Sequence, residues 1–192
     1  MTSYLLAGPA QEPVSLVQMK AHLRVEDEAE DGLIEALIVA ARVHVESLVG
    51  KALLAQTWRL VLDQWPDDRA IKLPVSPMIA VSEIRCFDAA GDEHQIDLDQ
   101  VLPDGQANPA RIILPGAIIG APVLRARMGI EIDYVAGFAT DPENVPADLL
   151  QALKTLAAYW YENRDSVLVS GAGAPVPAGF ERLVASHRRV RL

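Results

Sequence analysis

A chain of 192 residues, 51% of them hydrophobic, has the apolar mass for one domain or one domain with an insertion, and this excludes a disordered protein. Its net charge of −9 argues against broad nucleic-acid binding, which needs phosphate neutralisation. No apolar run reaches the roughly 20 residues of a membrane helix, the start MTSYLLAGPAQEP lacks the basic region of a signal peptide, and one cysteine, Cys86, rules out an internal disulfide and fits a reducing compartment.

Taken in order, residues 1–12 are expected to be a flexible arm. A short helix then starts at Ser15, a plausible N-cap, with Leu16, Met19, Ala21 and Leu23 as apolar contacts. A long helix follows over about 28–49. Leu33, Leu37, Ala41, Val45 and Leu48 hold one face, with Ile34, Ile38 and Val49 beside it. Glu26, Asp27, Glu28, Glu30 and Asp31 crowd its start, where carboxylates favour the helix dipole, and Gly50 suits its stop.

From Thr57 the pattern changes to period two. Strands are expected over 57–62, 71–73, 81–87, 94–98, 111–114 and 123–134, with a hairpin turn at 88–92. The last strand runs into a turn at Gly137, and a second long helix is expected over 146–163. Pro146 suits its first turn, and Leu149, Leu153, Leu156 and Trp160 recur at helical spacing. The two apolar stripes, Leu33, Leu37, Ala41 and Val45 on one helix and Leu149, Leu153, Leu156 and Trp160 on the other, are expected to form one core. The fold expected is α+β. A connector domain over 13–165 comprises a small helical bundle (13–54 and 140–165) with a β-rich insertion (55–139). Residues 166–192 follow as linker and tail.

No catalytic, cofactor-binding or metal-ligating set is legible. His22, His44, His94 and His187 are scattered, with no pair at helical spacing and no cysteine pair nearby. Asp88, Asp92, Glu93, Asp97 and Asp99 could hold Mg²⁺ for phosphoryl chemistry, but the same residues fit a solvated hairpin. Gly171 and Gly173 lack the context of a phosphate loop, and Ser170 and Ser186 lack that of a nucleophile elbow. The segment 180–192 is different in kind. It carries four arginines against one glutamate, a local excess of +3. Phe180, Leu183, Val184 and Leu192 stand beside Arg182, Arg188, Arg189 and Arg191. The run can be a solvated end or a docking peptide on a Gly/Ala/Pro-rich leash, and its apolar residues favour docking. On that reading, removing 176–192 leaves the body folded.

The order of these pieces is similar to that of a known family. VSLVQMKAHLRVEDEAEDGLI gives a short helix, a break, an acidic cluster and a long helix. A Tyr134-x-x-Gly137-Phe138 turn, a loop closing in Val145-Pro146, and a helix ending in Trp160-Tyr-Glu-Asn-Arg164 follow. Together they resemble the head–tail connector (adaptor) proteins of long-tailed bacteriophages and gene transfer agents, over roughly residues 13–192. The resemblance implies a virion structural protein, not an enzyme, with no cofactor. It implies a homo-oligomeric ring of about twelve copies between a portal protein and a stopper or tail-completion protein. DNA would pass through its lumen without sequence-specific binding, and the protein would reside in the host cytoplasm before joining the particle neck. Residues 180–192 are the segment it marks for gripping the portal. Two other classes remain: a metal-dependent phosphoryl-transfer enzyme using the 88–99 carboxylates, and a small intracellular dimeric binding module.

Overall fold

The computed structural model describes residues 1–164 and 176–188. The chain divides into two compact units. Met1–Ala10 and Ala55–Thr140 form a β unit; Gln11–Leu54 and Asp141–Leu192 form a helical unit. The fold is α+β.

The β unit is built on a five-stranded antiparallel sheet of β1 (Thr2–Ala7), β2 (Gln56–Leu62), β8 (Ile130–Ala136), β4 (Met78–Phe87) and β5 (Glu93–Gln95), in that order. The alternation in β8 sorts its side chains to two faces. Ile130, Ile132, Tyr134 and Ala136 are fully buried, and their register partners Leu60, Ile84 and Cys86 share that interior face. Burial pushes the Cys86 thiol up to about 11, which keeps it protonated and unreactive. A smaller sheet of β3 (Ala70–Lys72), β7 (Arg111–Ile113) and β6 (Leu102–Asp104) adds Ile71 and Ile112 to the core. The Val75 N–H donates to the Tyr134 hydroxyl at 3.3 Å, tying the chain after β3 to the large sheet.

In the helical unit, α1 (Leu16–Leu23) opens with a reciprocal cap. The Gln18 N–H donates to Ser15 Oγ at 3.2 Å, and the Ser15 N–H donates to Gln18 Oε1 at 3.0 Å. α2 (Asp31–Val49) ends at Gly50 with φ 67°, a left-handed stop that glycine adopts without strain. α3 (Ala147–Glu162) buries Leu149, Leu153, Leu156 and Trp160, the stripe expected of it. These side chains pack against α2, and α4 (Phe180–Ala185) packs on α3. The His44 ring of α2 meets Trp160 edge-on at 5.7 Å and lies 6.1 Å from Phe180.

Four expectations need correction. Residues 2–7 are not a flexible arm: they pair antiparallel with β2 and close one edge of the large sheet. In α2, Ala41 and Val45 are buried, but Leu33 is 38% exposed and Leu37 is only half-buried. The buried line is Ile34, Ile38, Ala41, Val45 and Val49. One residue rotates a helix by about 100°, and here that single step moves Leu33 to the flank and Ile34 inward. The strand expected over 123–134 begins only at Ile130. Gly129 ahead of it is packed so tightly that a Cβ would come within 3.0 Å of the Asp63 carbonyl oxygen. The strand expected over 94–98 ends at Gln95, because Asp97 caps a 3₁₀ turn over Leu98–Gln100.

Candidate functional site

The segment marked for docking splits into an anchored part and a remainder. Gly179, at φ 88°, starts α4. Phe180 and Val184, four residues apart on one face, are both fully buried in the helical unit. They are therefore unavailable to a partner, which corrects the reading of 180–185 as part of a free tail. Leu183 is half-buried, Arg182 is exposed, and Arg188 forms an ion pair with Glu181. Arg189, Arg191 and Leu192 lie outside the described residues, as does most of the expected linker.

A second contact pins the segment. His187 Nε2 lies 2.7 Å from Asp148 Oδ2, in the first turn of α3. Partial burial works to raise the Asp148 pKa, but the hydrogen bond and charge of His187 outweigh it and hold the carboxyl below its ordinary range. A carboxylate at a helix start and an imidazole reaching back to it thus hold the residues after α4 to the start of α3.

At the other end of the same unit, Glu30 accepts from the Tyr161 hydroxyl and pairs with Arg164 Nη1 at 2.7 Å. The Arg164 hydrogen bond, with that of Tyr161, lowers the Glu30 pKa to about 2. Arg42 donates to Glu12 at 2.8 Å and to Glu46 at 2.9 Å, and Glu46 also accepts the Leu53 N–H at 2.8 Å. These networks close the ends of α2 and are structural in chemistry.

The carboxylates at 88–99 are engaged by the backbone. Asp88 Oδ1 accepts the Ala90 and Asp92 N–H groups at 2.9 and 3.0 Å, and its Oδ2 lies 3.2 Å from His94 Nε2. The His94 hydrogen bond leads the causes that lower its pKa. Asp97 accepts the Asp99 N–H at 3.0 Å. These groups shape a hairpin and a 3₁₀ turn. Among the described residues no cluster of His, Cys, Asp and Glu has the geometry to hold a metal ion.

The sheet face opposite the β core carries a feature that sequence reasoning missed. Arg59 grips Asp133 in a fork, Nε to Oδ1 at 2.6 Å and Nη2 to Oδ2 at 2.7 Å, and reaches Glu131 at 3.1 Å. Arg85 Nη2 meets Glu131 at 3.0 Å and Asp133 at 3.4 Å from the other side. These four side chains retain only 12–20% of their exposure. The signal was present: Glu131 and Asp133 alternate with three large apolar residues, so both carboxylates had to share one face. Their arginine partners lie on other strands, which local pattern cannot pair.

Comparison with known proteins follows the same outline. Residues 13–87, from before α1 to the end of β4, match the family model described as Phage gp6-like head-tail connector protein. The fold matches a chain in the neck of an empty GTA particle computed with C6 symmetry, at TM-score 0.81 and 29% identity, covering 100% of this chain and 97% of that one. A chain in the virion of a native gene transfer agent (GTA) particle matches at 0.81 and 27%, with the same coverage. A chain in the neck of a native GTA particle computed with C12 symmetry matches at 0.79 and 28%, again over 100% and 97%. No curated protein sequence matches. The helix–strand order, the full-length likeness and the family model point the same way: the chain is similar to head–tail connector proteins over residues 13–87 and to chains of GTA necks and virions over its whole length.

Proposed function

We propose that this protein is a virion structural adaptor at the head–tail junction, forming a ring between portal and stopper or tail and lining the DNA exit channel. The observation that carries the reading is likeness over the full chain to chains of gene-transfer-agent necks and virions, at 27–29% identity. The family model supports the same place in the particle. A ring of about twelve copies, each meeting two identical neighbours, is part of this proposal, and the C6 and C12 symmetry of the similar necks supports a closed ring. The net charge of −9 suits a lumen that DNA passes without sticking. The role is architectural rather than catalytic.

Portal attachment is assigned to the end of the chain. Buried Phe180 and Val184 fix α4 in the helical unit, so the docking group shrinks to Arg182, Leu183 and Arg188, followed by Arg189, Arg191 and Leu192. Each such arm binds weakly, and a ring of arms binds firmly through effective concentration. Loss of the protein from particle-producing cells is expected to yield DNA-filled heads without tails, visible by negative-stain microscopy. Normally tailed particles would reject the adaptor role. Removal of 189–192 alone is expected to give the same phenotype with a folded protein; intact attachment would move the portal contact to the body.

A further inference from the structure

Several apolar side chains are exposed among the described residues of each unit, and one group in each complements the other. In the β unit it is the connection between β7 and β8, which contains no helix or strand over residues 114–129. Its backbone is nevertheless held. Gln100 brackets Ile119, its Nε2 donating to the Ile119 carbonyl at 3.0 Å and its Oε1 accepting the Ile119 N–H at 2.7 Å. Arg125 donates to the Met128 carbonyl at 2.7 and 3.0 Å and lies 4.3 Å from the centroid of the Phe87 ring. Asp63 accepts the Met128 N–H at 2.8 Å. A loop fixed in this manner still presents Ile119 at 80% exposure and Val123 at 87%. From Gly105 to Ile130 the sequence contains three arginines and no carboxylate, inside a chain of net charge −9.

In the helical unit, α2 is apolar on its outer side as well as its inner one. Ala36, Val39, Ala40 and Val43 are exposed, Val39 by 40% and Val43 by 52%. Beside Val39 lies a groove of about 380 Å³ formed by α2, the start of α1 and the segment before it. Val14, Leu16, Ile38 and Val39 supply its apolar walls, and Glu12 and Glu35 its acidic rim. One surface is a fixed apolar knob with arginines. The other is an apolar groove with carboxylates.

A subunit that meets identical neighbours around a ring needs two different patches that complement each other, whereas a symmetric dimer needs one self-complementary patch. We infer that the 118–127 loop of one copy docks on the α1–α2 groove of the next, in the ring proposed above and resting on that reading. Ile119 and Val123 cover the Val39–Val43 face, and Arg127, 85% exposed at its side chain and meeting Asp63 at 3.3 Å in its own subunit, reaches the carboxylate of Glu35 on the next. DNA is the less suitable occupant of the loop: phosphates have no use for two bare aliphatic side chains, and Arg125 is already committed to Met128 and Phe87.

The test is crosslinking in assembled particles of full-length protein. Ile119→Cys and Val39→Cys are introduced together and treated with a short bis-maleimide; the native thiol, Cys86, is buried and does not compete. A ladder of dimers and higher covalent multimers in isolated necks is expected, with no ladder from either single variant. Arg127→Glu in that background should lose the ladder, and adding Glu35→Arg should restore it. An internally linked monomer alone, a dimer from one single variant, no link at all, or photo-crosslinking of the loop to DNA would overturn the inference. If the unmodified protein is missing from the neck, the adaptor reading falls and takes this inference with it. A protein present in the neck without the ladder overturns the loop contact alone.

Discussion

The helical unit and the β unit are held together by different physics. In the helical unit the core comes from two stripes, Ile34–Val49 on α2 and Leu149–Trp160 on α3, each set by residues three and four apart. Its ion pairs sit at the ends and edges of helices. In the β unit the core comes from strands far apart in sequence, and the opposite sheet face holds a charged ladder whose key partners, Arg59 and Asp133, are separated by 74 residues. The first kind of order tolerates a missing charge and not a missing apolar group. The second couples the two, because charges removed from water must be paired where they lie.

The largest effect is expected from Phe180→Ala in the helical unit. Phe180 is fully buried against the α2–α3 pair, so truncation should cost roughly 3–5 kcal/mol, measured by denaturant unfolding. The same reasoning reverses an expectation from sequence: removing 176–192 takes away both Phe180 and Val184 and lowers the melting temperature. A deletion that melts like the parent would place α4 outside the core.

Next in size is Asp133→Ala in the β unit, which strands Arg59 and Arg85 without their shared carboxylate. The side chains are mostly buried, so a loss of roughly 3 kcal/mol is expected. Replacing Arg59 by Met and Asp133 by Leu together should recover much of it, because desolvation is then no longer uncompensated. Additive losses in that double variant would show the ladder to be a surface feature. Ser15→Ala should cost about 1 kcal/mol through the lost reciprocal cap of α1, and Ser15→Thr should not.

The smallest effect is a pH dependence. The folded-state pKa of Glu30 is about 2 against an ordinary 4.5, so its contribution is present in full above pH 4.5 and is lost as the pH falls toward 2. Between those values Glu30→Gln should show a shallower loss of stability on acidification than the parent. Parallel acid-melting curves would remove Glu30 from the account of α2.

How much could be read in advance follows the same division. The Ser15–Gln18 cap, the Gly50 stop and the α3 stripe are local, and each was legible. So was the onset of β2 near Thr57. Leu33 and Leu37 misled because α2 is apolar on both sides: Val39 and Val43 remain exposed, and periodicity alone does not say which side meets α3. β1 was missed because TSYLLA is a short edge strand whose register partners in β2 lie fifty or more residues on. The burial of Phe180 was missed because six residues make too short a helix to carry a pattern. Glu131 and Asp133 could be placed on one face, but not beside their arginines.

The central claim is that this chain occupies the neck of a virion or gene-transfer particle. Reconstruction of that neck by electron microscopy at side-chain resolution, in particles carrying this protein, tests it directly. The account predicts a ring of copies between portal and tail into which α2, α3 and the β1–β2–β8–β4–β5 sheet fit. A neck whose density is filled by other chains, with this protein absent, would contradict it.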